Sequence, residues 1–393
     1  MLVPLSQATR DRCGGKAAGL AVLHRAGLPV PDAVVVPGDV PLNAPAAGAE
    51  ALRAAIARIL TDWGDPAVAV RSSAATEDAA DTSAAGQYES VLGVRGADAV
   101  VAAVVRCRDS AGAPHTAWYR SRIGGSASRT EPVMAVLVQR MVAADAAGVL
   151  FTPAVTDGPT RIEAGWGLGS AVVDGSVTPD SYEVTAEGHV RCESGRPHLR
   201  VDLDARHGGT HRRPVPAGMQ AARVLEDRAA VELARLGTRI AALREAPQDV
   251  EWAIADGTAW ILQSRPITAD LPSLRGAAGP PSPRTLMGLP GSHGTVTASA
   301  RILHGPEDFG ALRRGEIIVC PGTDPAWTPL FSLAGGIVAE SGGALSHSAI
   351  VAREHGIPAV LGVEGAAGRI RTGDRITVDG TGGTVALAAP DLA

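Results

Sequence analysis

The sequence predicts an α/β (α+β) protein built from two domains. Its 393 residues exceed what one hydrophobic core normally fills, and 45% of them are hydrophobic, as in folded globular chains. Short apolar runs typical of buried strands are interspersed with longer Ala- and Leu-rich runs typical of helices. A proline- and glycine-rich stretch at 269–290 has the composition of a linker, so we expect domains at 1–268 and 291–393.

The first half reads as a series of helices and strands that ends in a hairpin. Residues 14–27 predict a glycine turn followed by a helix, and residues 147–183 predict glycine-rich loops. The hairpin is predicted over 250–267, around Asp256-Gly257. Further helices are predicted over 49–63 and 217–244, strands over 33–36, 67–71 and 133–139, and a polar loop from residue 71.

The second half changes pattern and predicts a compact domain of about 100 residues. Strands are predicted over 294–303, 315–321, 335–341, 357–363 and 374–380, with helices over 325–334 and 348–355.

Composition argues against several classes of partner. The net charge is -5 and no basic run appears, so we expect no nucleic-acid partner. We expect no membrane association either, because no apolar run reaches spanning length and the N-terminus lacks the apolar core of a signal peptide. The four cysteines form no CxxC pair and are typical of free thiols in a reducing compartment. We therefore expect a cytoplasmic protein.

Two cations stand out as candidates for binding phosphate. Lys16 is the single lysine of the chain, and it follows Gly14-Gly15 at the start of a predicted helix. That setting favours a role for the amine itself. Arg71 ends a predicted strand, and its planar guanidinium suits bidentate phosphate contacts.

His347 lies where the sequence predicts the start of a helix. A strand ends near Ser341, Gly342-Gly343 permits a tight turn, and the helix then begins. The positive end of the helix dipole would keep this imidazole neutral and nucleophilic, and it would hold a phosphoryl group on the ring. A histidine that only caps the helix is the plainer alternative.

The loop length of the predicted hairpin decides which polar side chains share a face. A two-residue loop at Asp256-Gly257 would set Glu251 and Gln263 on opposite faces, whereas a three-residue loop would set them on one face. In the second case the pair would offer two oxygens to Mg²⁺, with Arg265 on the same face holding a phosphate. An ordinary half-buried hairpin with its polar residues outward is the alternative.

Several motifs resemble the phosphoenolpyruvate-utilising enzymes, which include phosphoenolpyruvate synthase, pyruvate phosphate dikinase and the rifampicin phosphotransferases. The segment TDPAWTPLFSLAGGIVAESGGALSHSAIVAREHGIPAVLG is similar to their β/β/α swivelling phosphohistidine domain. The segments GGKAAGL, VRSSAATEDAADTSAAGQYESVLGV and DVEWAIADGTAWILQSRPI are similar to their ATP-grasp-like ATP-binding domain.

This resemblance implies ATP and Mg²⁺ as cofactors and makes His347 the catalytic, phosphorylated histidine. It places Gln139 at the adenine-binding hinge with Met141 and Val142. Glu163, just before the glycine-rich GWGLG segment, is a further candidate for approaching the nucleotide. The candidate ATP contacts are Lys16, Arg71, Gln139, Glu163, Glu251, Gln263 and Arg265, with Glu251 and Gln263 as the metal ligands.

The implied function is an ATP-dependent relay. His347 would take the β-phosphate of ATP, with release of AMP and phosphate, and pass it to a small-molecule acceptor such as an antibiotic or a biosynthetic intermediate. No third, acceptor-binding domain is recognised here. Two alternatives therefore stand: a subunit of a split dikinase with the acceptor domain on another protein, and an ATP-driven ligase or condensing enzyme of natural-product biosynthesis. A phosphocarrier or regulatory role without catalysis is the plainest alternative.

Overall fold

The computed structural model describes residues 2–41, 46–74, 89–110, 134–155, 158–204, 206–267 and 284–388. Two sheets and their helices form the N-terminal region, up to residue 267, and a third sheet forms the C-terminal region, from residue 284. The predicted α/β class is confirmed. The polar loop beyond residue 74 and most of the predicted linker lie outside the described residues.

The first sheet is antiparallel, in the order β1-β2-β5-β3-β4. Its strands are β1 Val3–Pro4, β2 Ala33–Val36, β3 Val68–Ala74, β4 Ser90–Val94 and β5 Met134–Arg140. Its helices are α1 Arg10–Arg25, α2 Ala46–Asp62 and α3 Ala97–Asp109. Helices α2 and α3 bury one face of the sheet, and α1 packs with the other face into a core shared with the second sheet.

The second sheet is also antiparallel and has six strands, in the order β13-β12-β6-β7-β8-β9. The strands of this part are β6 Ala146–Phe151, β7 Thr160–Trp166, β8 Asp180–Val184, β9 Val190–Glu193, β10 Leu199–Leu203, β11 Thr210–Pro214, β12 Gln248–Ala255 and β13 Thr258–Pro266, with β10 and β11 forming a separate ribbon. Its helices are α4 Ser170–Val173, α5 Ala217–Gln220 and α6 Asp227–Arg244.

The prediction of glycine-rich loops over 147–183 is wrong, because three strands of the second sheet fall in this segment. Two of its glycines serve close packing inside strands. A Cβ at Gly148 would lie 1.8 Å from the carbonyl oxygen of Glu163, and one at Gly165 would lie 2.7 Å from a methyl group of Val172. A glycine needed for close approach has the same sequence signature as a glycine needed for a turn.

The helix predicted over 217–244 is interrupted between α5 and α6. Buried side chains of β8 hold the intervening backbone. The amide of Val224 donates to the Asp180 carboxylate at 2.9 Å, and the amide of Leu225 donates to the Tyr182 hydroxyl at 2.9 Å. These bonds satisfy the two amides outside a helix, and α6 then begins at Asp227.

The third sheet has eight strands, in the order β14-β21-β20-β16-β17-β18-β19-β15, with a parallel centre from β16 to β19. Its strands are β14 Thr285–Met287, β15 Leu289–Ser292, β16 Thr295–Ile302, β17 Ile317–Cys320, β18 Gly336–Ala339, β19 Ala359–Leu361, β20 Arg375–Asp379 and β21 Thr384–Leu387. Its helices are α7 Thr328–Phe331, α8 His347–His355 and α9 Ala366–Arg369. Short 3-10 turns span Leu5–Gln7, Pro306–Ala311 and Pro325–Trp327.

All five strands predicted for the C-terminal region are confirmed, while the predicted end of the linker is wrong. Residues 285–290 were expected in the linker, but β14 pairs with β21 and β15 pairs with β19. Pro290 and the glycines at 288 and 291 mask the strand character of β15, and Pro290 lies at a register irregularity where a missing N–H is tolerated. Within the described ranges, no helix is long and apolar enough to cross a membrane.

Candidate active site

The two regions enclose a cavity of about 260 Å³. Its walls come from both N-terminal sheets and from the first turn of α8 in the C-terminal region. Seven of the eight residues singled out from the sequence line it: Lys16, Arg71, Gln139, Glu251, Gln263, Arg265 and His347. The structure therefore brings together side chains that are up to about 330 residues apart in the chain.

The hairpin β12–β13 places Glu251 directly opposite Gln263, as the three-residue loop would have done. The loop itself, however, has only two residues. Ala255 pairs with Thr258, which leaves Asp256 and Gly257 as the loop. Their φ values are 49° and 72°. Both positive values are typical of a type I′ turn. A bulge beyond Trp252 then shifts the register by one residue, so the pair shares a face after all.

Arg71 on β3 clamps this pair. Its Nη2 donates to Glu251 Oε2 at 2.8 Å and to Gln263 Oε1 at 2.6 Å, and its Nη1 donates to the carbonyl of Leu262, the bulged residue, at 3.1 Å. Burial acts to raise the pKa of Glu251, but Arg71, Arg265 and Lys16 together hold it below its ordinary value. The carboxylate is therefore ionised and ready to accept a cation.

Arg265 is held in the cavity wall by a buried carboxylate. Its Nε and Nη2 both lie 2.8 Å from Asp249 Oδ2, and Asp249 is only 4% exposed. Asp249 pairs with Arg265 across the hairpin, next to the pair of Glu251 and Gln263. Sequence reasoning missed Asp249, although its i,i+2 spacing from Glu251 predicts the same face of the strand.

Lys16 reaches the cavity because helix α1 is broken just before it. Gly14 has φ of 77°, and a Cβ there would lie 1.9 Å from the carbonyl oxygen of Ser73. The Ser73 hydroxyl donates to the carbonyl of Cys13 at 2.7 Å and accepts the amide of Ala17 at 3.1 Å. The helix restarts against β3, and the lysine lies in its first turn.

Gln139 lies near the end of β5 with only 2% of its surface exposed. Among the described residues its Nε2 has no hydrogen-bond partner, and the residue lines the cavity together with Met141 and Val142. An unsatisfied buried amide next to apolar side chains suits a flat, polar-edged group such as a nucleobase.

His347 is the first residue of α8, as the sequence predicts, and it is 4% exposed. Ser346 precedes it in an extended conformation, and Gly356 ends the helix with φ of 64°. Leu345 and Ile350, on either side, pack into an apolar cluster of the N-terminal region. These contacts place the start of α8 and the imidazole ring of His347 at the cavity.

The structure places Glu163 elsewhere than predicted. It is 2% exposed on β7 and is not among the residues that line the cavity. Its Oε2 accepts the amide of Leu345 at 3.2 Å, in the turn that leads to His347. Burial raises the pKa of Glu163 to about 7, while the amides of Leu345 and Ala344 and the charges of Arg353 and Arg161 act in the opposite direction.

The residues present fit ATP and one divalent cation. Lys16, Arg71 and Arg265 supply positive charge for phosphates, and Glu251 and Gln263 supply two adjacent hard oxygens. Among the described residues no group of three or more His, Cys, Asp or Glu could hold a metal by itself. Phosphate and water oxygens would complete the shell, as is usual for Mg²⁺.

Two family models match most of the chain. The AMP/ATP-binding domain of pyruvate phosphate dikinase matches residues 42–273, and the mobile domain of PEP-utilising enzymes matches residues 312–383. The first match covers the wall that holds Arg71, Gln139 and the hairpin. The second covers His347.

Curated relatives agree with these matches. The probable phosphoenolpyruvate synthase of Methanothermobacter thermautotrophicus is 36% identical over 323 residues, which are 82% of this chain and 47% of that protein. The phosphoenolpyruvate synthase of Pyrococcus furiosus is 35% identical over 369 residues, which are 88% of this chain and 44% of that protein. The chain thus spans less than half the length of these two relatives. It belongs to the family of phosphoenolpyruvate-utilising dikinases.

Proposed function

We propose that this chain is an ATP-dependent phosphotransferase that passes the β-phosphate of ATP through a phosphohistidine at His347 to a small-molecule acceptor. One observation carries the proposal: His347 lines the same cavity as Lys16, Arg71 and Arg265. A nucleophile and three cations that can bind phosphate, gathered in one cavity, suit in-line phosphoryl transfer.

The residues at the two ends of the cavity suggest how ATP would bind. The adenine would lie against Met141 and Val142, with an edge bonded to the Gln139 amide. The triphosphate would extend toward Lys16 and Arg265, whose charges neutralise it. Mg²⁺ held by Glu251 and Gln263 would supply further charge neutralisation between the phosphates.

Arg71 has a double role in this scheme. In the structure its guanidinium binds the oxygens of Glu251 and Gln263, which are the proposed metal ligands. If those oxygens held a cation, the guanidinium of Arg71 would be free to contact the phosphates of ATP instead. Arg71 therefore keeps the two oxygens ordered before ATP binds and contacts the phosphates afterwards.

In the chemical step a ring nitrogen of His347 forms a bond to the β-phosphorus. The bond between that phosphorus and the α,β-bridging oxygen breaks, and AMP leaves with the oxygen. The terminal phosphate is then lost to water as inorganic phosphate, which leaves one phosphoryl group on the ring. The N-terminus of α8 stabilises the added negative charge. The acceptor then takes this phosphoryl group from the histidine.

Formation of AMP from ATP tests the proposal. We expect the wild-type chain to release AMP and the His347→Ala variant to release none. His355→Ala, at the other end of α8, is the matched control and should behave like wild type. Calorimetric binding of ATP to His347→Ala separates a chemical defect from a folding defect. An unchanged AMP yield in His347→Ala would contradict the proposal.

A further inference from the structure

The loop that precedes α8 lies directly against the N-terminal region. The Ser341 hydroxyl donates to the carbonyl of Gly175 at 2.7 Å, and the amide of Gly342 donates to the carbonyl of Val177 at 3.2 Å. Together with the apolar contacts of Leu345 described above, these bonds fix the loop against the N-terminal region. None of them uses a charged side chain.

Glu163 adds a buried carboxyl group to this contact. Its Oε2 accepts the amide of Leu345 at 3.2 Å, and the neighbouring amide of Ala344 also acts on the carboxyl group; both amides belong to the C-terminal region. A carboxylate that is 2% exposed is costly unless hydrogen bonds replace its water. The bond to Leu345 exists only while the regions are together, and a carboxyl oxygen can accept it whether or not the group is protonated.

Arg353 holds the other side of the same turn. Its Nη1 donates to the carbonyls of Ala344 and Gly291, both at 2.7 Å, from within the C-terminal region. Its own region thus holds the turn at the carbonyl of Ala344, and Glu163 holds it at the amide of Leu345. Leu345 stands two residues before His347, so the position of the turn determines where the ring enters the cavity.

We propose that Glu163 is a positioning residue that holds the histidine-bearing region on the ATP-binding region while His347 is phosphorylated. It does so by accepting the amide of Leu345, and not by contacting the nucleotide. The consequence for catalysis rests on the function proposed above, whereas the docking contact stands on the geometry alone.

Gly343 offers an independent way to test this contact. A Cβ built on Gly343 would lie 2.3 Å from Glu163 Oε2, and its three nearest atoms all belong to the Glu163 carboxyl group. Gly343 does not have a positive φ, so alanine is compatible with its backbone. A methyl group at 343 therefore blocks docking while leaving each region's own packing intact. Gly310 is a matched control, since a Cβ there meets nothing within 4 Å.

The experiment compares Glu163→Ala, Gly343→Ala, the double variant and Gly310→Ala in the full chain. Small-angle X-ray scattering reports docking without any need for activity. Single-turnover AMP formation reports phosphorylation, and calorimetry reports the Kd for ATP. We expect both single variants to increase the radius of gyration and to slow AMP formation at least about tenfold, with the Kd for ATP within about twofold of wild type.

The double variant tests most directly whether Glu163 and Gly343 act through the same contact. Because Glu163→Ala removes the group that alanine at 343 would strike, the two effects should not add, and the double variant should match Glu163→Ala alone. Wild-type scattering and rate in Gly343→Ala would overturn the proposal, as would additive losses in the double variant. If the wild-type chain forms no AMP, the proposed function fails, and scattering still decides whether Glu163 and Gly343 control docking.

Discussion

Glu251 lies directly opposite Gln263 across a hairpin whose loop has only two residues. A bulge at Leu262 brings them onto one face, and the carbonyl of that bulged residue also binds Arg71. Two oxygens of different charge are thereby held side by side at the cavity. This is the part of the site on which the metal proposal depends.

Glu251→Gln should weaken metal binding without disturbing the shape of the hairpin. The substitution removes the single charge among the proposed metal ligands, and Mg²⁺ depends on charged oxygen ligands. We expect the Mg²⁺ concentration for half-maximal AMP formation to rise by roughly tenfold. Glu183→Gln, on β8 away from the cavity, is the control. An unchanged Mg²⁺ dependence in Glu251→Gln would remove Glu251 from the metal site.

Gln139→Leu should change stability and affinity in opposite directions. The Nε2 of Gln139 is buried without a partner among the described residues, so an apolar side chain of similar size should keep or raise the melting temperature. The same change removes the proposed adenine contact and should raise the Kd for ATP about tenfold. Thermal melting and calorimetry measure the two effects. A large loss of stability with unchanged affinity would show that Gln139 is structural.

Asp249→Ala should destabilise the N-terminal region, because it leaves the half-buried Arg265 without its carboxylate. Breaking a buried pair costs several kcal/mol, so we expect the free energy of unfolding to fall by roughly 3 kcal/mol in urea titrations. Asp98→Ala, which breaks an exposed pair with Arg53, should produce no measurable change. Equal effects of the two variants would mean that the Asp249 pair is not a supporting contact.

Docking of the two regions should weaken as the pH rises. In the docked structure burial raises the pKa of Glu163 to about 7 from an ordinary value of 4.5. The loop at Gly343 and Leu345 lies directly on this carboxyl group, so we expect separation of the regions to uncover it to water. The docked state therefore binds a proton more tightly, and this contribution is lost as the pH passes from about 4.5 to about 7. Arg161 and Arg353, the charged groups that act on Glu163, stay protonated throughout.

Scattering between about pH 5 and about pH 8 measures this dependence. We expect the docked fraction of the wild-type chain to fall over that range. In Glu163→Gln the titrating group is absent, so the fall should disappear. The same pH dependence in both proteins would assign the effect to another group.

The sequence predicts the chemistry of the site better than its geometry. Lys16, Arg71, Gln139 and His347 lie in motifs whose residue types match their surroundings, and all four line the cavity. The bulge after Glu251 is different. The Asp-Gly turn predicts a regular register, and nothing in the sequence around Leu262 indicates an extra residue. The sequence therefore could not predict which side chains of the hairpin face the cavity.

Glu163 shows a second limit of sequence reasoning. Its place before a glycine-rich segment suggests a nucleotide contact, yet its hydrogen-bond partner is the amide of Leu345, 182 residues away in the chain. Contacts between the two regions leave no periodic pattern in the sequence of either one. The missed strands β14 and β15 have a similar cause, because prolines and glycines tolerated at irregular edges resemble those of a linker.

Transfer of labelled phosphate tests the central claim most directly. ATP labelled at the β-phosphate is incubated with the chain and Mg²⁺, and the protein is then digested under alkaline conditions that preserve phosphohistidine. We predict that the label appears on the peptide containing His347, and that label from the α-phosphate leaves with AMP. Label on any other residue, or protein that stays unlabelled while ATP is consumed, would contradict the proposed relay.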